Sequence, residues 1–476
     1  MSEKSSKTLV MKYGGTSVGV GMPNAVQIVK DTRAEWGRVV VVTSAISGAT
    51  DRLLNSATHA AQGDLTILRS ASAWLRQSHA DLADKLVADP ARRAQVNTEI
   101  GALIDSFVEL CRAIGVLGEA SPRALDAVAS LGERMSVRLL SAAIESAGVP
   151  SKYVEATELI LTNDRFQHAH PDFAQTTERT RRVLNPLLDQ GLVPVVTGFI
   201  GATEKGAITT LGRGGSDYSA AILGAALPAD DVWIWTDVDG VMTADPRLVP
   251  DARTLGEVTY SEVAELAYYG AKVLHPKTIR PVVDAGIGLR ICNTFNPSHP
   301  GTRLVANNGN GHRAAHSGDV VRAVTAIRQQ RLVTIEGRGM LGVPGVAART
   351  FGAVASTGTS VPLITQASSE QSICFAVPFD MAGSIVGALE NVFAEELEDG
   401  DIDRVWMTDE VAILTVVGAG MRHTPGVSGH VFNQLGVHSV NVLAIAQGSS
   451  EVSISIVIDS ADTERAVKAL HEMIVK

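Results

Sequence analysis

LVMKYGGTSVG, the stretch from Leu9 to Gly19, contains a short apolar run, one lysine, a glycine pair and two hydroxyl residues. A second apolar run, RVVVVTSAI, is rich in β-branched residues and is typical of a strand buried on both faces. Between the two runs, apolar residues at helical spacing in GMPNAVQIVKDTRAEW predict a helix. This order is a βαβ unit, so the sequence predicts a mainly parallel open sheet covered by helices, an α/β fold.

The rest of the first 306 residues extends this fold. Residues 53–148 are Ala/Leu-rich and predict a helical lobe, whereas LVPVVTGFIG, DVWIWTDV and GIGLRICN predict further strands, with a helix from about Ser216. The segment from Asn296 to Asp319 is rich in Gly, Asn, His and Pro, which is typical of a domain boundary. We therefore expect a catalytic domain over residues 1–306 and a linker over residues 307–319.

An internal repeat follows the linker. PGVAARTF, beginning at Pro344, recurs as PGVSGHVF at Pro425, and QASSEQSICFAV at Gln366 recurs as QGSSEVSISIVI at Gln447. Equal separations in both copies indicate two copies of one small fold, which we predict to be ferredoxin-like βαββαβ. The expected limits are 320–395 and 396–476, and the copies could be interleaved, with VVRAVTAIR completing the second copy.

The overall composition excludes several classes of protein. The 476 residues carry a net charge of −10 and no dense Lys/Arg block, which argues against a nucleic-acid groove. No apolar run approaches the roughly 20 residues that span a bilayer. The N-terminal residues lack a signal-peptide core, so we expect a cytoplasmic protein with no membrane partner. Cys111, Cys292 and Cys374 show no CxxC spacing and are expected to be buried thiols.

Two interpretations of the opening stretch remain open on its residues alone. No G-x-x-x-x-G-K-[ST] motif is present, and Asn24 stands where a dinucleotide fingerprint needs its third glycine. Gly14 and Gly15 could nevertheless bring backbone N–H groups to an anion, with Lys12 at the carboxyl end of the strand. The alternative is a plain βα turn with a solvated lysine.

A second glycine-rich stretch favours the anion site. TTLGRGGSDYSA, residues 209–220, places Gly212, Gly214 and Gly215 in a turn before a helix. Arg213 in this turn can bind a carboxylate bidentately. Asp217 falls in the first turn of the helix, where its carboxylate can point back at the site.

These two stretches resemble the aspartate kinases of the amino-acid-kinase family, over nearly the whole chain. The other matching segments are SLGERMS (130–136), LTNDRF (161–166), TGFIG (197–201), WTDVDGVMTADPR (235–247) and YGAKVLHP (269–276). The two C-terminal copies resemble paired ACT domains. The resemblance implies an amino-acid-kinase fold plus two ACT domains, and transfer of phosphate from ATP, with Mg²⁺, to the β-carboxylate of L-aspartate.

The resemblance also implies catalytic roles. Lys12 would bind the transferring phosphoryl group, and Gly14 and Gly15 would donate N–H groups to it. Asp217 would either orient Lys12 or help to hold the metal. No metal cage is visible in the sequence, so Mg²⁺ is expected to arrive with ATP.

The implied substrate site uses both halves of the catalytic domain. Arg213 would bind the α-carboxylate of aspartate, with Gly214, Gly215 and Ser216 alongside, and Glu133 would pair with the α-ammonium. Without the resemblance, Glu133 reads as a solvated helix carboxylate. Ser44 and Thr50 would line the aspartate pocket, although both also read as ordinary loop hydroxyls.

The implied nucleotide site follows the strand DVWIWT. Thr236 and Asp237 would meet the adenosine, whereas Arg247 and Lys272 would reach the phosphates. Met242 stands where the family often has tyrosine, so a contact from that hydroxyl to the nucleotide is lost.

The ACT pair implies feedback by an amino acid, with threonine favoured and lysine possible, and assembly into a homodimer or homotetramer. The expected effector residues are Gly345, Val346 and Gln366 in the first copy and Gly426, Val427, Asn441 and Gln447 in the second. Pro362 departs from the acidic or Asn residue common at its position. No second enzyme domain follows, so we expect a monofunctional kinase. The alternatives are a kinase for a glutamate derivative and a non-catalytic amino-acid sensor.

Overall fold

The computed structural model describes residues 7–271, 274, 276–306, 320–340, 343–366, 371–448 and 452–475. The chain packs into two compact units. Of the described residues, the first unit contains those up to Val241 together with 256–258 and those from 274 to 306, and the second contains 242–255, 259–271 and those from residue 320 onward. Within the described ranges, no helix combines the length and the apolar character that crossing a membrane requires.

The elements up to residue 306 begin with the βαβ unit that the sequence predicts. The strands are β1 (Thr8–Tyr13), β2 (Arg38–Thr43), β3 (Ser151–Val154), β4 (Val193–Thr197), β5 (Ile200–Ala202), β6 (Ile208–Thr210), β7 (Asp231–Thr236), β8 (Glu257–Thr259), β9 (Gly288–Asn293) and β10 (Thr302–Val305). The helices are α1 (Met22–Glu35), α2 (Ala49–Ala61), α3 (Thr66–Leu86), α4 (Pro90–Leu117), α5 (Pro122–Ser146), α6 (Phe173–Asp189), α7 (Gly215–Ala226), α8 (Tyr260–Tyr268) and α9 (Pro276–Asp284). Helix α8 belongs to the second unit.

The main sheet has eight strands in the order β3-β4-β2-β1-β7-β9-β10-β8. Strand β1 lies between β2 and β7 and is parallel to both, with Lys12 opposite Val42 and Ile234. All six residues of β1 are buried, because helices cover both faces of the sheet. Strand β10 is antiparallel to β9, and β5 and β6 form a separate antiparallel pair. The predicted mainly parallel sheet is confirmed.

The predicted helical lobe is also confirmed, as helices α2 to α5. Asp89 and Ser121 cap α4 and α5 by accepting hydrogen bonds from backbone N–H groups, and a proline follows each cap. Helix α5 packs against β3, β4 and β6, which brings its middle turns beside the sheet. Burial in this unit raises the pKa of the Cys111 thiol to about 11 and that of Cys292 to about 12.

The second unit is built on a seven-stranded antiparallel sheet in the order β12-β13-β11-β15-β17-β16, with β14 paired to β11. Its strands are β11 (Ala323–Glu336), β12 (Leu363–Gln366), β13 (Ser372–Pro378), β14 (Arg404–Met407), β15 (Val411–Val417), β16 (Ala444–Ala446) and β17 (Ser453–Asp459). Its remaining helices are α10 (Val346–Ser356), α11 (Ala382–Val392), α12 (Ala394–Asp399), α13 (Val427–Val437) and α14 (Thr463–Val475).

Strand β11 serves both copies of the repeat. Residues 330–336 pair with β13, whereas residues 323–327 pair with β15 of the second copy. The register shifts between Ile327 and Gln330, where Gln329 has a φ of 56°. Strand β14 pairs with the second half of β11, and the first half of β11 occupies the equivalent place beside β15.

The segment of residues 242–255 packs into the second unit. Ala244 and Val249 share a buried core with Val324, Leu414 and Leu470. The side chain of Thr243 lies 2.8 Å from Nε2 of the buried His471.

Candidate active site

A cavity of about 540 Å³ lies in the first unit, among residues at or beyond the carboxyl ends of the parallel strands. Ligands of open α/β sheets bind at this edge. Most of the side chains and glycines predicted for catalysis and substrate binding line the cavity together: Lys12, Ser44, Thr50, Glu133, Arg213, Gly214, Gly215, Ser216 and Asp217. Stretches far apart in the sequence thus meet at one place.

Lys12 and Asp217 form an ion pair in this cavity. The ammonium nitrogen of Lys12 lies 2.6 Å from Oδ1 of Asp217. Lys12 is only 9% exposed, so the ammonium is held with little solvent around it. Strand β1 supplies the lysine and the first turn of α7 supplies the aspartate.

Gly14, the first glycine after β1, is used differently from our expectation. The N–H of Gly14 donates to the carbonyl of Trp235 at 3.1 Å, so in this structure it is not free for an anion. The predicted donor role of Gly14 is corrected accordingly, because this N–H extends the pairing of β1 with β7. At Gly15, a Cβ atom would lie 3.0 Å from the carbonyl oxygen of Ala45. Glycine therefore lets the turn approach the loop after β2.

The second glycine loop adopts a conformation that requires glycine. Gly212 and Gly214 have φ values of 80° and 71°, in the left-handed region. Gly214 is also the N-cap of α7 and offers no side-chain cap, which leaves N–H groups at the helix N-terminus for an anion. Arg213, between the two glycines, is exposed at the cavity. The loop can thus present a guanidinium and backbone donors together.

Glu133 faces the cavity from α5 and is almost fully buried. Its Oε1 accepts a hydrogen bond from the N–H of Ala45 at 3.1 Å, whereas its Oε2 is buried without a partner in the described part of the chain. Burial raises the pKa of Glu133 to about 8, although the N–H of Ala45 and the charge of Lys12 oppose the shift. A buried carboxyl with one unmatched oxygen is suited to receive a cation.

Gly132 explains how Glu133 reaches this place. A Cβ atom at Gly132 would lie 2.7 Å from Cβ of Ala45. Only a glycine therefore allows α5 to approach the loop after β2 at this point.

Sequence reasoning missed several residues that line the same cavity, among them Asp126, Gln167, His168 and Phe199. Phe199 lies in the TGFIG segment, and a Cβ atom at Gly215 would lie 2.5 Å from its ring. Asp126 lies two helical turns before Glu133, so the spacing along α5 was the available signal. His168 and Gln167 follow LTNDRF directly, and no pattern in the sequence marks them.

The residues predicted for the nucleotide are distributed over both units. Thr236 ends β7, and its hydroxyl donates to Asp237 at 3.2 Å. In the second unit, Arg247 is largely exposed and pairs with Asp245 at 2.6 Å, and the sulfur of Met242 accepts a hydrogen bond from Thr254. Lys272 lies outside the described residues. In the described ranges, no group of three or more His, Cys, Asp or Glu residues is placed to hold a metal ion.

A second cavity, of about 390 Å³, lies in the first copy of the repeat and is lined by Gly345, Val346 and Gln366. Gly345 is the N-cap of α10, with a φ of 92° and no side-chain cap. Gly426 has the same role before Val427 at the start of α13, with a φ of 90°.

The other two residues predicted for the second effector site, Asn441 and Gln447, are both exposed. Their exposure leaves both side chains accessible to a ligand.

Comparison with known proteins agrees with this architecture. Residues 7–293 match the amino acid kinase family, and residues 333–393 and 414–474 match an ACT domain. The chain is 32% identical to an aspartokinase of Candida albicans, over 97% of this chain and 89% of that protein. It is 37% identical to the chloroplastic bifunctional aspartokinase/homoserine dehydrogenase 1 of Zea mays, over 97% of this chain and 50% of that protein. The chain thus spans about half the length of such bifunctional relatives.

The fold also matches crystal structures of E. coli aspartokinase III. The complex with aspartate and ADP has a TM-score of 0.80 at 31% identity, covering 99% of this chain and 100% of that chain. The complex with lysine and aspartate has a TM-score of 0.78 at 32% identity, covering 98% and 100%. Together with the two-loop cavity and the ACT-like sheet, these similarities show that the chain belongs to the aspartokinases of the amino acid kinase family.

Proposed function

We propose that this protein phosphorylates the β-carboxylate of L-aspartate with MgATP, giving 4-phospho-L-aspartate and ADP, the first step towards the amino acids derived from aspartate. The observation that carries the proposal is the convergence of the Lys12–Asp217 ion pair, the buried Glu133 and the exposed Arg213 on one cavity. An oxygen of the β-carboxylate attacks the γ-phosphorus, and the bond from that phosphorus to the bridging oxygen breaks. Since the attacking carboxylate is already ionised at neutral pH, no general base is needed.

Lys12 is the residue that we expect to stabilise the transferring phosphoryl group. Its ammonium is poorly solvated and is held at 2.6 Å from Asp217, so little reorganisation is needed when charge develops nearby. The ion pair favours the orienting role of Asp217 over a metal-binding role. Mg²⁺ enters this scheme as part of the nucleotide substrate.

Glu133 and Arg213 provide two-point recognition of the amino acid. The unmatched oxygen of Glu133 is suited to the α-ammonium, and Arg213 is suited to the α-carboxylate. Ser44 and Thr50 line the same cavity and would bound the side-chain end of the substrate, with Gly214, Gly215 and Ser216 alongside Arg213. E. coli aspartokinase III has been solved with aspartate and ADP, which supports this assignment.

On the nucleotide side, we propose that Thr236 and Asp237 meet the adenosine, and that Met242 replaces a polar contact by packing. Arg247 would leave its exposed pair with Asp245 to reach the phosphates. That exposed pair is weak enough to exchange for a polyphosphate.

For regulation, we propose that threonine or lysine binds at the start of α10 in the first ACT copy. The N–H groups beside Gly345 would receive the carboxylate of the effector, and Gln366 would read its side chain. One of the E. coli structures contains lysine, which supports an amino-acid effector. Strands β12 and β16 expose Ile364 and Ile445, which supports assembly of this unit into a homodimer or homotetramer. The absence of a second enzymatic activity stays a prediction.

Trapping of the acyl phosphate tests the catalytic proposal. Purified protein is incubated with ATP, Mg²⁺, hydroxylamine and L-aspartate, and the hydroxamate is measured, with L-glutamate in a parallel reaction. We expect hydroxamate in the reaction with aspartate and none in the reaction with glutamate. No signal above the enzyme-free blank would remove the kinase assignment, and a signal only with glutamate would move it to another amino-acid kinase.

The same assay tests regulation when threonine and lysine are added separately at millimolar concentrations. We expect at least one of them to slow turnover. Full activity in the presence of both would contradict the proposed effectors while leaving the kinase assignment intact.

A further inference from the structure

We infer that Asp126 is a positioning residue for substrate recognition: its carboxylate holds the loop that carries Arg213 at a set distance from Glu133. The inference rests on the proposed function, because it concerns how the two ends of the amino acid are recognised. Asp126 is 1% exposed, and none of the mechanistic steps above uses it.

Asp126 ties together two segments that are remote in sequence. Its Oδ1 accepts from the hydroxyl of Thr210 at 2.7 Å, and its Oδ2 accepts from the backbone N–H of Thr210 at 2.9 Å. The N–H of Gln167 donates to both oxygens, at 3.1 and 2.9 Å. Thr210 is the last residue of β6 and leads within three residues to Arg213.

The second of these segments lies directly against the glycine loop. A Cβ atom at Gly212 would lie 2.8 Å from Nδ1 of His168 and 3.1 Å from the carbonyl oxygen of Gln167. The N–H of Ala169 also donates to the carbonyl of Thr210 at 3.0 Å. Asp126 therefore holds the loop from its β6 side and from the turn on which Gly212 rests.

The turn at Gln167 has a strained backbone, so the hydrogen bonds to Asp126 are needed to keep it in place. Gln167 has a φ of 67°, a left-handed conformation that is unfavourable for a residue other than glycine. The hydrogen bonds to the buried carboxylate offset that cost. Without them we expect the turn to relax and the support under Gly212 to move.

Helix α5 sets the geometry that results. Asp126 and Glu133 are seven residues apart and so lie on the same face of this helix. Glu133 faces the α-ammonium, while Asp126 holds the loop whose arginine faces the α-carboxylate. One rigid element therefore sets the spacing between the two recognition points of the amino acid.

Two substitutions at this position separate the hydrogen bonds from the charge. Asp126→Ala removes every bond to the two segments. Asp126→Asn can keep the bonds from both backbone N–H groups, because the amide oxygen can replace Oδ2 and the hydroxyl of Thr210 can turn to accept from the amide nitrogen. Asp172→Ala is the matched control. It removes a carboxylate that caps α6 just after the same loop and does not line the cavity.

Steady-state kinetics with both substrates varied provide the first test. We expect Asp126→Ala to raise the KM for aspartate by about tenfold or more, since a misplacement of about 1 Å can cost up to a hundredfold. The KM for ATP should stay close to that of the wild type. Asp126→Asn and Asp172→Ala should both keep an aspartate KM near the wild-type value. An unchanged aspartate KM in Asp126→Ala, or equal rises in both KM values, would overturn the inference.

Hydrogen exchange provides a second test that needs no activity. In the substrate-free protein, the amides of peptides covering residues 163–172 and 208–216 should exchange faster in Asp126→Ala than in the wild type. Equal exchange in the two proteins would overturn the inference even if the kinase assignment holds. The two proposals can also fail separately. If the wild type makes no hydroxamate while Asp126→Ala still exchanges faster, the proposed function is refuted and the role of Asp126 in holding the loop stands.

Discussion

Binding of aspartate should release a proton from Glu133. In the free protein, burial raises the pKa of this carboxyl to about 8, so at pH 7 it is mostly protonated. An α-ammonium can pair only with the ionised form, and the positive charge would lower the pKa again. The proton must therefore leave as the substrate binds.

The magnitude follows from that pKa. With a pKa of about 8, the carboxyl carries roughly 0.9 proton at pH 7, about 0.5 at pH 8 and about 0.1 at pH 9. Each of these fractions is the number of protons that binding should release at that pH. The apparent Kd for aspartate scales with one plus the ratio of proton concentration to the acid constant, so it should fall about eightfold between pH 7 and pH 8.5.

Isothermal titration calorimetry measures this directly. The binding enthalpy is recorded at pH 7 in two buffers of different ionisation enthalpy, and the difference between them gives the number of protons released. Glu133→Gln should release no proton and should bind aspartate more weakly. Glu145→Gln is a matched control, because this glutamate lies on the same helix but is half-exposed and paired with Arg92.

The reasoning would be refuted if the wild type bound aspartate at pH 7 without releasing a proton. It would also be refuted if Glu133→Gln released as many protons as the wild type, because the proton would then come from another group.

Four further outcomes can be checked. Lys12→Ala should lower kcat on the order of a hundredfold or more with a much smaller rise in the aspartate KM, because the charge of Lys12 acts mainly in the transition state. Steady-state kinetics measure both constants. A large rise in KM with little change in kcat would instead assign Lys12 to binding of the ground state. Gly15→Ala should lower the free energy of unfolding by about 1–3 kcal/mol, because the added Cβ atom would lie 3.0 Å from the carbonyl oxygen of Ala45. A thermal melting curve identical to that of the wild type would contradict this. Gln366→Ala should raise the effector concentration needed for half-inhibition, measured relative to the variant's own uninhibited rate, and an unaltered inhibition curve would place the effector elsewhere. Burial lowers the pKa of His79 from the ordinary 6.5 to about 4. As the pH falls below 6.5, protonation of this side chain therefore favours the unfolded chain. The free energy of unfolding should decrease by about 2 kcal/mol between neutral pH and pH 5. His79→Gln should show a smaller drop in melting temperature from pH 7 to pH 5 than the wild type, with half-exposed His59→Gln as control, and equal drops would exclude His79 as a cause.

The sequence predicts the parts of this site that depend on backbone chemistry. The position of Lys12 at the carboxyl end of a buried strand can be predicted from the residues beside it. The same holds for the glycines around Arg213, because few residue types allow their backbone conformations. The fold class follows for the same reason, since the periodicity of each strand and helix is a local property.

The parts that depend on long-range contacts could not be predicted. The N–H of Gly14 is taken by Trp235, a residue more than two hundred positions away. The role of Asp126 depends on the positions of β6 and of the turn at Gln167 in the folded chain, and no residue near Asp126 in the sequence predicts these contacts. Residues 242–255 contribute Ala244 to the core of the second unit, although their motif places them with the nucleotide site.

The shared strand β11 has a consequence for how the regulatory part can be taken apart. The repeat suggests two modules that could be expressed, exchanged or deleted one at a time, with a cut just before Val333 or just before Val411. Such a cut would strip the second module of the strand beside β15 and expose a row of unpaired backbone groups. The two copies therefore have to be kept or removed together. A substitution that alters the backbone at Gln329, between the two halves of β11, should affect both copies.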